Sequence, residues 1–205
     1  MTVYLGVLAH EQGRYDKAHR LLSQSLALSR QTGDLRMISF AVNFLARTAL
    51  VLGRAAEMKA PLEEVYQFAI RVGDRYSTGL ALERLAAVEQ AIGEIEEAHR
   101  HFDQSANLYQ TIGDAWSLTR VLNLQGWFAL AQGWREHAWE QFKLAFEIAA
   151  SAQIAGNALD ALVGIAELSA GTGDPELGLT WLFISQIILP APRRPENARI
   201  ACPRA

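Results

Sequence analysis

Glycine stands at positions 13, 53, 93, 133 and 173, a spacing of 40 residues that never slips. A second set, Gly33, Gly73 and Gly113, falls midway between the members of the first. Self-similarity at a fixed period in this range is the mark of a repeat array, in which each unit packs only on its neighbours and the core is a continuous stripe. The chain is therefore expected to use one unit of two 20-residue halves about five times. Between the glycines the apolar residues recur at helical spacing, as in Ala98, Phe102, Ser105, Ala106 and in Ala138, Phe142, Ala145. No segment alternates as a strand does, so every half-unit reads as a helix of roughly 27 Å.

The punctuation has a physical cause. Glycine takes the left-handed conformation that closes a helix at little steric cost. Asp34, Asp74 and Asp114 follow the second glycine set directly and can accept the free amides of the next helix. The fourth unit departs from this, with Gln153 where glycine is expected and Gly156-Asn157 three residues late. A shifted or looser turn is expected there.

Small residues mark where helices must approach closely. Gly6, Ala46, Ala86, Gly126 and Ala166 stand seven residues before a turn glycine; Ala18, Ala98, Ala138 and Gly178 stand five after one. Leu22, Leu62, Phe102, Phe142 and Leu182 follow four residues beyond the second set. Met58 replaces the small residue in unit two, so that pair is expected to splay or repack. Pro61, three residues on, is expected to kink or break the second helix of that unit.

The Leu-Gly or Leu-Ala pairs (Leu5-Gly6, Leu45-Ala46, Leu85-Ala86), the turn glycine and the A-x3-F of Ala98/Phe102 and Ala138/Phe142 resemble the tetratricopeptide repeat. The usual unit has about 34 residues. The 40-residue unit is similar to a long-helix subclass found in scaffolds, in peptide-responsive bacterial regulators and in the sensor segments of bacterial signalling ATPases and transcription activators. HEAT-type repeats have a similar length but lack this pattern of glycine and small residues. The resemblance covers about residues 2–189. It implies an all-α, right-handed superhelical array of antiparallel helix pairs with about five repeats, the first incomplete. Residues 1–189 form that array and residues 190–205 a proline-rich tail, expected to lie over the apolar last helix around Trp181 and Ile184. The twelve residues before Gly13 make a short first helix whose Val3, Leu5, Val7 and Leu8 lack a preceding helix to cover them. The chain is thus expected to begin mid-array, as an excised domain or truncated product, and its exposed edge to allow pairing with a second copy.

Several function classes recede. A formal charge of −3, with 16 arginines among the 19 basic residues that are dispersed except for Arg193-Arg194, gives no basic stripe for nucleic acid. Cys202 is the single cysteine, which excludes a disulfide frame and favours a reducing, cytoplasmic setting. No apolar run is long enough to span a membrane, and the N-terminus lacks the marks of a secretory signal. Of His10, His19, His99, His101 and His137, His99 and His101 point to different sides of their helix, and none has metal-ligand spacing. With no nucleophile turn and no phosphate loop, neither an enzyme nor a cofactor is expected.

Binding remains. In arrays of the resembled kind the first helix of each pair lines a concave groove. By that resemblance Asn43, Arg47, Glu83, Arg120, Asn123, Trp127 and Asp160 face it. Asn43 and Asn123 share one repeat position, where an amide can both donate to and accept from a peptide backbone. Arg47 and Arg120 can fork onto carboxylates, and Trp127 supplies an anchor face. Internal pairing of Arg47 with Glu83 and of Arg120 with Asp160 is the plain alternative. None of the three lysines lies in the groove, which argues against the dicarboxylate clamp of chaperone-binding relatives. The expected function is a non-catalytic protein- or peptide-binding scaffold, the sensor or interaction module of a larger bacterial regulator. The alternative is a spacer or homodimerisation module that uses the array ends.

Overall fold

A computed structural model describes residues 2–170. The described residues form α1 (Thr2–Glu11), α2 (Tyr15–Thr32), α3 (Leu35–Val51), α4 (Lys59–Val72), α5 (Arg75–Ile92), α6 (Ile95–Ile112), α7 (Ala115–Ala131), α8 (Arg135–Ser151) and α9 (Ala155–Ala170), with a 3₁₀ turn at Ala55–Met58 before α4. Consecutive helices pack on one another along the described residues, and α1 on α3, α3 on α5 and α7 on α9 also meet, giving an all-α solenoid of helix pairs. Gly173, Trp181, Ile184 and the tail from residue 190 lie outside the described residues.

The turns follow the sequence logic closely. Gly33, Gly73 and Gly113 have φ of 68°, 71° and 73°, and the amide after each reaches back across the last helical turn, as Asp34 N–H does to the Ser29 carbonyl at 3.1 Å. The carboxylates of Asp34, Asp74 and Asp114 then accept from the amides of Met37, Ser77 and Ser117 at 3.0–3.1 Å. One helix stops and the next starts within two residues.

The fourth turn corrects an expectation. It is neither shifted nor loose: Ile154 N–H bonds to the Ala149 carbonyl at 2.8 Å, as at every other turn. Gln153 itself takes the left-handed conformation, with φ of 58°. A residue with a Cβ is strained there by about 1–2 kcal/mol, so the packing of α8 on α9 holds the register against the local preference. Gly156 begins α9 instead of closing α8.

Unit two also differs from expectation in detail. Pro61 does not kink a long helix, because α4 begins only at Lys59. Proline is then in the first helical turn, where backbone amides lack intrahelical acceptors in any case. The residues that would have begun the helix wind as the 3₁₀ turn, pinned by the Arg54 guanidinium donating to both Glu57 carboxylate oxygens at 2.7 and 2.9 Å. Met58 is buried at the end of this turn. A cleft of about 290 Å³ lies between α3, α4 and α5, and Met58 is not among the residues that line it.

Small residues do hold the helix pairs together. Ala46, Ala86, Ala98 and Ala138 are fully buried. A Cβ on Gly126 would lie 2.5 Å from the Phe142 ring, and one on Gly6 would lie 2.7 Å from Leu22. The large residue four places after the small one therefore fills the space that glycine leaves on the facing helix. Gly164, which the sequence pattern does not single out, also faces Phe142, and a Cβ on it would lie 2.4 Å from the nearest of the same ring atoms. At the amino end, Val3 is fully buried against α2 and α3, contrary to expectation, while Tyr4, Leu5 and Leu8 are exposed.

Two histidines are built in as neutral groups. His10 Nδ1 sits 2.9 Å from Thr48 Oγ1, and burial, then Arg47, lower its pKa from 6.5 against the opposing pull of Glu11. Burial, then Arg54, likewise lower the pKa of His19, with Glu57 and Asp16 opposing.

Gly164→Ala is expected to cost about 1–3 kcal/mol, because the buried Phe142 ring has nowhere to move. Gly156→Ala, whose Cβ meets nothing within 4 Å, should leave stability unchanged or raise it by up to about 1 kcal/mol. Urea melts of both variants check this. For the histidines, the unfolded chain binds more protons than the fold between the lowered pKa and 6.5, so stability is full above that window and falls as pH drops through it. The midpoint of unfolding should decline between about pH 7 and 5, and less steeply in His10→Gln with His19→Gln.

Candidate functional site

The odd helices α3, α5, α7 and α9 carry one stripe of residues at i, i+4, i+7 and i+11, the spacing of a single helix face. On α3 it runs Arg36, Phe40, Asn43, Arg47; on α5 Tyr76, Leu80, Glu83, Ala87; on α7 Trp116, Arg120, Asn123, Trp127. The structure links these stripes by polar contacts that each join one unit to the next. Arg47 Nη1 lies 3.7 Å from Glu11. Arg84 Nε donates to Asn43 Oδ1 at 2.8 Å, and Arg120 Nη1 to Glu83 Oε1 at 2.5 Å. Asn123 Nδ2 donates to the Asn157 carbonyl at 2.8 Å, while Asn157 Nδ2 returns to the Trp116 carbonyl at 2.9 Å and Thr119 Oγ1 at 2.7 Å. A ladder of side-chain bonds thus crosses from α1 to α9.

The ladder redraws the pairing inferred from sequence. Arg47 does not meet Glu83, nor Arg120 Asp160; each arginine meets the unit before it. Asp160 is exposed with no ion pair. Asn43 and Asn123 both spend one amide atom inside the protein, which leaves Asn43 its amino group, whereas Asn123 is buried. Trp127 is 36% exposed and stands edge-on to Phe142, with ring centroids 5.1 Å apart.

At the centre of the ladder lies a charge cluster. Glu83 is fully buried and takes Arg84 at 3.2 Å and Arg120 at 2.5 Å, so two guanidinium groups share one carboxylate. Burial lowers the Arg84 pKa, Glu83 opposing the shift and Arg120 and Arg47 adding to it. Burial, then Glu83, push the hydroxyl of fully buried Tyr109 well above the usual range. The Arg120 guanidinium stacks over Trp116, 5.1 Å from the ring centroid, and Trp116 is itself half exposed. Glu83 Oε2, Tyr109 Oη, Arg120 Nε and Asn123 Oδ1 are buried without a hydrogen-bond partner in the protein. The cluster is cationic overall, with unused acceptors and donors beside it.

Arg84, Trp116 and Asn157 are the residues that sequence reasoning passed over. Arg84 had a signal: its counterparts at 44, 124 and 164 are Phe, Leu and Gly, so a charge in that apolar register stood out. Among the described residues no group of three His, Cys, Asp or Glu is placed to hold a metal ion, and no helix is long and apolar enough to cross a membrane.

Glu83→Gln should destabilise the protein by about 2–4 kcal/mol, since it leaves two partly desolvated guanidiniums facing each other. Arg47→Gln, at an exposed 3.7 Å pair, should cost less than about 1 kcal/mol. Thermal and urea melts at matched salt separate the two.

No protein-family model and no curated protein matches the chain. Solved structures do. A putative kinesin light chain with nearly identical TPR-like repeats from Podosopora anserina superposes with a TM-score of 0.72 over 91% of this chain and 92% of that one, at 18% identity. BtubC (BKLC) from P. vanneervenii gives a TM-score of 0.68 over 98% and 85%, at 15% identity. The apo form of RapI gives 0.66 over 91% and 81%, at 10% identity. At such identities the likeness speaks for the fold, and it agrees with the helix pairs, turn glycines and small-residue contacts described above: this chain has the fold of a tetratricopeptide-repeat solenoid.

Proposed function

We propose that this chain is a non-catalytic interaction scaffold that binds a protein or peptide segment along the face carrying Asn43, Arg47, Arg120, Asn123, Trp116 and Trp127. The observation that supports this most directly is the ladder. It holds polar groups in fixed rotamers along a stripe, with Trp116 and Trp127 standing partly exposed beside it. Groups ordered before binding lose little conformational entropy on contact, and exposed tryptophan with neighbouring arginine is the composition that anchors interfaces. The guanidinium excess around Glu83 favours a segment with acidic character. A role as sensor module of a larger bacterial regulator rests on the resemblance of the 40-residue unit to such segments. The exposure of Tyr4, Leu5 and Leu8 on α1, at 64, 49 and 53%, favours a second reading in which two copies meet through that end.

Panning a random peptide library on the purified chain tests the first reading. Enriched peptides should lose at least about tenfold in affinity against Trp116→Ala with Arg47→Glu. They should be indifferent to Arg100→Glu on α6. Peptides insensitive to the first pair would sink it. A dimer that dissociates in Leu8→Glu, followed by light scattering across a concentration series, would favour the second.

A further inference from the structure

The cleft between α3, α4 and α5 exists because of one residue. Ala69 on α4 occupies the repeat position that Tyr109 occupies on α6, forty residues later. In unit three the Tyr109 ring is fully buried. It lies 3.0 Å from where a Cβ on Gly79 would be, and 6.0 Å between centroids from Tyr76. In unit two Ser39 replaces that glycine and Ala69 replaces the tyrosine, so the ring's place is open. What remains is about 290 Å³, at the lower end of small-ligand sites. Its walls include Phe40, Phe68, Val72, Tyr76 and Leu80, and buried Leu62 and Val65 lie in the floor.

The polar lining of the cleft is unbalanced. Arg36 is exposed and without an ion pair. Arg84 commits Nε to Asn43 and Nη1 to Glu83, which leaves Nη2 for another acceptor. Asp74 is the single acid in the lining, its two carboxylate oxygens accepting from the Ser77 hydroxyl and amide at 2.6 and 3.0 Å, so against Arg36 and Arg84 it leaves an excess of one positive charge. An apolar pocket with spare guanidinium donors selects an apolar body with one anionic end.

We propose that this cleft is a binding site for a small aryl carboxylate, its ring in the place that Tyr109 fills in the next unit and its carboxylate on Arg36 and Arg84. A free molecule fits better than a chain segment, because the apolar space does not run on along the array. Tyr109 blocks the equivalent position one unit later, and an extended segment would need continuity there. The cleft shares Asn43 with the proposed peptide-binding face, but its argument rests on its own apolar walls and guanidinium groups and does not depend on that reading.

The test titrates the full chain with 3-phenylpropanoate by calorimetry and ligand-observed NMR. Saturable binding of one molecule per chain is expected, with the neutral 3-phenylpropanamide at least about tenfold weaker. Ser39→Gly with Ala69→Tyr writes the packing of unit three into unit two. It should remove binding while keeping helicity by circular dichroism. Arg36→Gln, on the exposed rim, should weaken binding several-fold without touching the core, and it carries the test should the double variant fail to fold. No saturable binding of the acid, equal binding of acid and amide, or full affinity in the folded double variant would each overturn the proposal. So would binding confined to an aromatic, acidic peptide when the free acid does not bind.

Discussion

The fold depends on one steric relation repeated along the chain: a missing or minimal side chain on one helix faces a large one on its partner. Gly6 receives Leu22, and Gly126 and Gly164 both receive Phe142. Close approach of the backbones lets the buried aromatics and alanines pack at interior density, where an added methyl group is already felt. Everything polar is arranged around that contact. The turns need only reverse the chain within two residues, and the aspartate caps start each new helix without using any of the interior.

Much of this was legible in the sequence, because glycine in the left-handed conformation, aspartate at a helix start and alanine at a close contact each have a local cause that any copy of the unit shares. Met58 and Pro61 correctly marked unit two as irregular, but the form of the irregularity was not legible. Whether a chain answers proline with a kink or with a later helix start depends on what the preceding residues can bond to, here Arg54 on Glu57. Gln153 misled for the opposite reason. Its local preference argued for a loose turn, and the tertiary packing of α8 and α9 overrode it.

At the candidate site the sequence carried the helix on which each residue lies and not the network that joins them. The resemblance assigned Asn43, Arg47, Glu83, Arg120, Asn123 and Trp127 to the first helices of the pairs, and these residues lie on α3, α5 and α7. Which arginine meets which carboxylate is decided by the offset between neighbouring helices, and no spacing within one helix carries that offset. Arg84 and Asn157 enter the network from positions just off the stripe. The cleft came from a comparison the sequence did contain, Ala69 against Tyr109, but only the position of the Tyr109 ring gives that difference a volume.

The turn at Gln153 says something about how such a chain can change. The array accepted an unfavourable side chain at the hinge, and kept the count of forty. One residue more or fewer within a helix would turn the rest of that helix by about 100° about its axis and swing its apolar stripe out of the stack. Repeat length is therefore a phase, and substitutions are absorbed where insertions are not. Substitution is free to rewrite what each unit touches, as Ala69 and Arg84 differ from their counterparts in other units, provided that it never alters when the next unit begins.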